Sequence, residues 1–429
     1  LNGGGTVAGG QAVSGWHQAF PVFLDETNDD YRSRYDCPTV DRGRPSAPFA
    51  NEPGPNGGRA NQGAFGDTPW ATTVSGYDLT EEIVLGGGRG NAGWVQVRSH
   101  RAASFRHIGW AQMPWAAYNQ QDGSVHTALG NLDGQAGCEV VMGSNRLGYL
   151  AVFHRVGNTT RLLRWIQVPW AAYNTAVGVT WPACGDVDGD GRDELVIGLG
   201  AYWQGQLAGP TNGGWAVILD DLDASFATRR WVRLSRAAYN QASGETRVAC
   251  GDVDGDGRAE VILATGRAPG VGGFAEVFDD AAGGYARLAS INHPDAMYIA
   301  TSGELWPASG DLSGDGRSEI LLGPGRGGQG LVRLFRDAAG GFAPFGSLAF
   351  PWTAYNNAQG EVRVACGNLD ADAGDEVLGA QGSWTTQGGR AHVWDHAGAS
   401  FASLGWIGYD YPAYNANNGE LFPAIGNMR

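Results

Sequence analysis

GDVDGDGRDELVIG at 185–198 and GDVDGDGRAEVILA at 251–264 carry one string twice, and GDLSGDGRSEILLG at 310–323 carries it a third time. Weaker copies are GNLDGQAGCEVVMG at 130–143 and GNLDADAGDEVLGA at 367–380. A further copy, Gly76 to Glu82, has a loop three residues shorter, and PAIGN at 423–427 gives only the entry to one. The unit is 55 to 66 residues long, a period that points to propellers, solenoids or arrays. Inside one unit, short Val, Ile, Leu and Phe runs are bounded by Gly and Asp, which favours strands over helices. In the unit around 251, strands are expected at Arg247–Cys250, Val261–Ala264, Phe274–Phe278 and near Tyr285–Ile291. Seven entries to the loop and four strands per unit predict an all-β, seven-bladed β-propeller over 1–429. The seventh unit has strand A only, at Leu421–Asn427. Thr6–Ala8, Gln11–Trp16 and Phe20–Leu24 are expected to complete it, so that the N- and C-terminal strands close the ring in one blade. Residues 25–68, rich in Asp, Asn, Pro, Gly and Arg, read as a long loop inserted in that ring.

The loop D-x-D-x-D-G-x-x-E puts oxygen donors at alternate positions of a tight turn, with a glycine where the backbone bends. Hard oxygen donors in that number suit Ca²⁺. Two loops are complete: Asp186, Asp188, Asp190, the Arg192 carbonyl and Glu194; and Asp252, Asp254, Asp256, the Arg258 carbonyl and Glu260. A third has Asp311, Ser313, Asp315, the Arg317 carbonyl and Glu319. A fourth has Asn368, Asp370, Asp372 and Glu376 but lacks the bend glycine. About four structural calcium sites are therefore expected. The copy with Asn131, Asp133, Gln135 and Glu139 keeps two carboxylates and is expected to be empty. An EF-hand is excluded, because its last carboxylate stands at position 12 and helices flank it.

These loops resemble the FG-GAP repeats of integrin α-subunit propellers and bacterial VCBS-type repeats. The resemblance implies that the loop joins strands A and B on one face, with ligands on the opposite face or between blades. The overall plan is similar to that of the Psathyrella velutina lectin family, seven-bladed propellers that bind sugars between blades; no sugar-contact residue of that family carries over.

A second string precedes strand A: PWAAYN at 114–119 and 169–174, PWTAYN at 351–356, SRAAYN at 235–240, YPAYN at 411–415 and a degenerate PDAMY at 294–298. One reading makes these sugar sites, with an aromatic ring stacking on a pyranose and an asparagine serving its hydroxyls. The candidates are Trp115, Tyr118, Asn119, Trp170, Tyr173, Asn174, Tyr239, Asn240, Trp352, Tyr355, Asn356, Tyr414 and Asn415. The other reading has the tyrosines wedging between blades and the asparagines turning the backbone.

Seventy glycines and a 10% aromatic content suit short strands and tight turns. Net charge is −15 and every basic residue is arginine, which argues against nucleic acid. No apolar run approaches a membrane span, and nothing at the start reads as a signal peptide. Leu1, where a methionine would begin a chain, is expected of a processed or trimmed form. Cys184, Cys250 and Cys366 share a slot with Ser75, Leu129, Ser309 and Ile425, so they read as buried free thiols; Cys37 and Cys138 remain a candidate pair. No catalytic motif stands out among the eight histidines. The functions carried forward are a secreted, calcium-stabilised carbohydrate-binding propeller of lectin type, partnered by carbohydrate or glycoprotein, and an extracellular adhesion or structural module, with self-association. The enzyme alternative is a polysaccharide lyase.

Overall fold

The computed structural model describes residues 81–100, 104–135, 137–156, 159–201, 213–370, 372–385 and 387–428, together with the strands Phe23–Asp25 and Asp30–Ser33. The chain forms two compact units, Leu1–Asp78 and Leu79–Arg429. In the first, the two short strands pair antiparallel with each other. The expected strands Thr6–Ala8 and Gln11–Trp16, most of 25–68, and Cys37 lie outside the described residues.

In the second unit, six four-stranded antiparallel sheets follow one another, so the ring has six blades and not seven. Each sheet runs A-B-C-D outward. Blade 1 takes strand A from Leu421–Gly426 and B, C and D from Glu82–Gly87, Trp94–Arg98 and His107–Gln112. Blade 2 is His126–Gly130, Glu139–Gly143, Tyr149–Val156 and Thr159–Gln167. Blade 3 is Thr180–Gly185, Glu194–Leu199, Trp215–Leu219 and Thr228–Arg233. Blade 4 is Thr246–Gly251, Glu260–Thr265, Phe274–Phe278 and Arg287–Asn292. Blade 5 is Leu305–Gly310, Glu319–Pro324, Leu331–Phe335 and Pro344–Ala349. Blade 6 is Val362–Gly367, Glu376–Gln381, Arg390–Trp394 and Ser403–Gly408.

The count of seven arises because one loop is cut in two by the chain's own ends. Strand A at 421–426 pairs with Glu82–Gly87, in the register Leu421↔Gly87 to Gly426↔Glu82. The incomplete copy at 423–427 and the shortened copy ending at Glu82 are therefore the two halves of a single blade. No N-terminal strand is needed for closure: Leu421–Gly426 completes the blade, and Phe23–Asp25 pairs with Asp30–Ser33.

The B strands are buried along their whole length, which explains their unbroken apolar runs, whereas the outer D strands alternate in exposure. One apolar cluster fills each junction between neighbouring blades. Each D–A connection also holds one six-residue helix, from Ala116–Gln121 to Pro412–Asn417. A helix that short shows no 3.6-residue period in sequence.

Candidate functional site: an acidic loop ring and a belt of aromatic clefts

The six A–B loops are tied head to tail. The N–H at loop position 8 donates to the position 1 carbonyl of the preceding loop: Asp193 to Asn131 (2.8 Å), Ala259 to Asp186 (2.7 Å), Ser318 to Asp252 (2.7 Å) and Asp375 to Asp311 (2.8 Å). Glu81 to Asn368 (2.7 Å) and Cys138 to Asn427 complete the circle across the chain ends. The position 7 arginines reinforce it: Arg258 Nε donates to the Asp188 carbonyl (3.3 Å) and Arg317 Nε to that of Asp254 (3.1 Å).

Within each loop the closing glutamate turns inward and accepts from a loop N–H, as Glu194 does from Val187 and Glu260 from Val253, both at 2.8 Å. The first aspartate folds the turn instead of pointing away from it; Asp186 accepts from Gly189 and Gly191 at 2.6 and 2.9 Å. One donor atom each from Asp186, Asp188 and Glu194 lies within 4.8 Å of the others, and the same holds for Asp252, Asp254 and Glu260. Asp190 and Asp256 stay outside these sets and cap the N–H of Arg192 and Arg258. In blade 5, Asp311 caps the turn in the same way, but Asp311, Asp315 and Glu319 do not form such a set.

The two complete loops differ in what faces them. In blade 3, Arg229 from strand D reaches in. Its guanidinium contacts Asp188, lies 2.9 Å from Asp220 and 3.6 Å from Glu194. Blade 4 has Leu288 at that register position. Glu194 and Glu260 are both fully buried with an Oε1 that makes no hydrogen bond, but Glu194 Oε1 has the Arg229 guanidinium 3.6 Å away. Burial pushes the Glu194 and Glu260 carboxyls up to about 8, and the neighbouring aspartates add to the shift. A buried carboxyl oxygen without a partner is costly, and ionising it calls for a cation beside it, so the blade 4 donors fit a hard divalent ion. Two sets include a histidine that loop spacing could not show: Asp133 and Glu139 with His154, and Asp372, Glu376 and Asp395 with His396. Asp370, expected as a ligand, is outside the second set. Cys138, Cys184, Cys250 and Cys366 are free thiols.

The second string divides by residue. Tyr118, Tyr173, Tyr239, Tyr355 and Tyr414 are buried. The Tyr173 hydroxyl donates to the Val179 carbonyl (2.5 Å) and accepts from Gly200 N–H (2.7 Å), and Tyr355 repeats this with Glu361 and Gly382. Each tyrosine bolts a D–A connection to the blade it enters. Asn119, Asn174, Asn240, Asn356 and Asn415 donate through Nδ2 to Met113, Val168, Leu234, Phe350 and Tyr409 carbonyls. Their carboxamides press on glycines with positive φ; a Cβ on Gly148 would overlap Asn174 Oδ1.

The tryptophans face outward. Pro114, Trp115, Tyr149 and Trp165 line a cleft of about 430 Å³. Trp94, Trp110 and Tyr411 line its counterpart, about 270 Å³, where blade 6 leads into blade 1. Trp170 meets Trp231 edge-on at 6.0 Å, beside Trp215; Trp352 meets Trp406 at 6.5 Å. The same three register positions hold Arg236, Phe274 and Ser290 in blade 4 and Asp295, Leu331 and Ser347 in blade 5. Four of six junctions are thus aromatic. Trp165 is 37% exposed and Trp406 43% exposed. Trp165 also borders a second cleft of about 180 Å³, with Arg164, Gln167, Ser225 and Thr228 among its lining. The strand D tryptophans Trp110, Trp165, Trp231 and Trp406 were not among the sequence candidates. Their signal is a tryptophan five residues before the first aromatic or arginine of the strings at 114–119, 169–174, 235–240 and 411–415.

No protein-family model and no curated protein matches the chain. Among solved structures it is similar to the Dos1 propeller, at 13% identity and TM-score 0.38 over 73% of this chain and 64% of that one. A Bacillus licheniformis rhamnogalacturonan lyase matches at 13% identity and TM-score 0.38, over 76% of this chain and 64% of that one. An exotype rhamnogalacturonan lyase matches at 12% and 0.30, over 67% and 55%. The chain spans less than two thirds of the length of each, and the β-propeller architecture stands on its own strand pairing.

Proposed function

We propose that the protein binds carbohydrate in the aromatic clefts of its outer belt. The observation that carries this reading is the pair of open clefts walled by Trp115, Tyr149 and Trp165 and by Trp94, Trp110 and Tyr411. Sugar rings present apolar C–H faces that lie on such aromatic walls, and their hydroxyls take the polar groups beside them. Arg164, Gln167, Ser225 and Thr228 supply these next to Trp165. Shallow sites bind weakly one at a time, and repetition around the ring gives a multivalent glycan or glycoprotein avidity. The buried Tyr–Asn steps hold the clefts open, and Trp115, Trp170 and Trp352 remain the contact residues of that string.

Calcium has a supporting part in the same proposal. Asp252, Asp254 and Glu260 would hold it, and its contribution is to neutralise buried carboxylates and brace the loop ring.

Affinity electrophoresis of the full chain in gels containing plant, fungal or bacterial polysaccharides tests the reading. Wild type is expected to be retarded by at least one polysaccharide, and Trp165→Ala to lose about 10-fold or more in apparent affinity. Equal retardation of wild type and a Trp115→Ala/Trp165→Ala double variant would sink it.

A further inference from the structure

The A–B loop of blade 6 departs from its neighbours at three linked positions. Position 1 is Asn368, whose Nδ2 donates to the Asp372 carbonyl (2.7 Å) and folds the loop without a carboxylate. Position 7, an arginine in blades 3 to 5, is Gly374. The C–D turn residue that is Asp221 in blade 3 and Asp280 in blade 4 is His396. In blades 3 and 4 those two positions form an ion pair, Arg192 with Asp221 at 3.0 Å and Arg258 with Asp280 at 3.4 Å. In blade 6 the imidazole lies over the bare glycine: a Cβ on Gly374 would fall 2.6 Å from His396 Cβ and Cγ. One substitution makes room for the other, and the ring that replaces the ion pair turns Nδ1 into the acidic cluster.

There His396 Nδ1 is 3.2 Å from Asp372 Oδ2 and 2.9 Å from Asp395 Oδ1. One donor atom from each of Asp372, Glu376, Asp395 and His396 lies within 4.8 Å of every other. Glu376 is fully buried; its Oε2 accepts from Leu369 N–H at 2.6 Å, and its Oε1 has no hydrogen-bond partner. A buried carboxyl oxygen left without a partner among three further donors is costly, and a cation held between them would satisfy it. The exposed Asp372 (42%) leaves the set free to close to the roughly 3.4 Å ligand spacing of a tetrahedral shell with bonds of about 2.1 Å.

We infer that blade 6 carries a transition-metal site, formed by His396 Nδ1 with the carboxylates of Asp372, Glu376 and Asp395, in place of the calcium loop its spacing suggests. An imidazole nitrogen favours Zn²⁺ or Co²⁺ over Ca²⁺, which takes oxygen donors in larger number. The ion and a proton compete for the same donor atoms, so binding is linked to pH. Asp133, Glu139 and His154 in blade 2 make a smaller set without such an orphaned oxygen among its donors.

The test is a Co²⁺ titration of the tag-free full chain, stripped by EDTA and held in millimolar Ca²⁺, read by visible ligand-field absorption and by proton release. One Co²⁺ per chain is expected, displaced by Zn²⁺ and not by Ca²⁺. His396→Asn is expected to weaken binding by at least about 10-fold. Asp372→Asn, at an exposed position, guards against a folding defect and is expected to weaken it too, while His154→Asn leaves the titration unchanged. The inference falls if the absorption survives both blade 6 variants, if His154→Asn alone abolishes it, if Ca²⁺ displaces Co²⁺ at equal concentration, or if wild type takes up no Co²⁺ below millimolar.

Discussion

Blades 3 and 4 carry almost the same loop and have different sites. Both read GDVDGDGR, both bring two aspartates and a buried glutamate together, and both cap their turns alike. The difference comes from strand D, where blade 3 offers Arg229 and blade 4 Leu288. In the first loop the Arg229 guanidinium stands among Asp188, Glu194 and Asp220, whereas in the second Arg258 pairs with Asp256, outside the Asp252, Asp254 and Glu260 set. On the outer belt the asymmetry is reversed: blade 3 presents Trp170, Trp215 and Trp231, whereas blade 4 presents Arg236, Phe274 and Ser290. A repeat motif defines a scaffold, and the residues facing it from the next strand decide what the scaffold holds.

The largest expected effect is on the blade 4 loop. Saturating Ca²⁺ should raise the melting temperature of the EDTA-treated chain, by an amount equivalent to about 4 kcal/mol at a thousand times Kd. Most of that gain should vanish in Asp252→Asn/Asp254→Asn and little of it in Asp186→Asn/Asp188→Asn; calorimetry with and without Ca²⁺ checks this, and equal losses would erase the distinction between the blades. Next in size is Arg229→Leu. Without metal it strips three carboxylates of their cation and is expected to cost about 2 kcal/mol. Ca²⁺ should restore the loss and its stoichiometry should rise by one, measured by equilibrium dialysis. The smallest effect concerns the connections leaving the two blades, where buried Leu234 follows blade 3 and buried His293 follows blade 4. Burial, helped by Arg333, lowers the imidazole to about 4. The unfolded chain then binds the extra proton, so this stability is present above about 6.5 and is lost as pH falls through 4. At pH 5.5 the loss is about 1.4 kcal/mol. His126 and His392 are lowered to about 4 as well, so denaturant melts at pH 7.5 and 5.5 should show His293→Leu reducing the difference without abolishing it.

Much of the blade was legible in sequence. The expected strand at 274–278 is the observed one, and those at 247–250 and 261–264 fall one residue short at each end. Their runs are apolar because both faces are covered. Blade number was not legible, because residues 421–426 and 82–87 read as two units until their pairing is seen. The acidic sites were half legible. Asp252, Asp254 and Glu260 follow from spacing, whereas Arg229, Asp395 and His396 stand some 20 or more residues beyond their loops, across two strands. The tyrosines and tryptophans of one short string look alike in sequence; only the helix, which starts after the tryptophan and contains the tyrosine, shows that the tyrosine turns into the junction and the tryptophan outward.

Blade 1 owes its axial strand to residues made some 330 positions later than the three it completes. During synthesis, Glu82–Gly87 must wait with an unpaired inner edge while five other blades form, and an unpaired edge invites pairing with other chains. The Glu82 carboxylate finds its Met428 N–H, at 2.9 Å, only at that last step. The molecule is latched by its own tail, and a peptide copying 421–428 would compete for that latch in a nascent chain and leave a finished ring untouched.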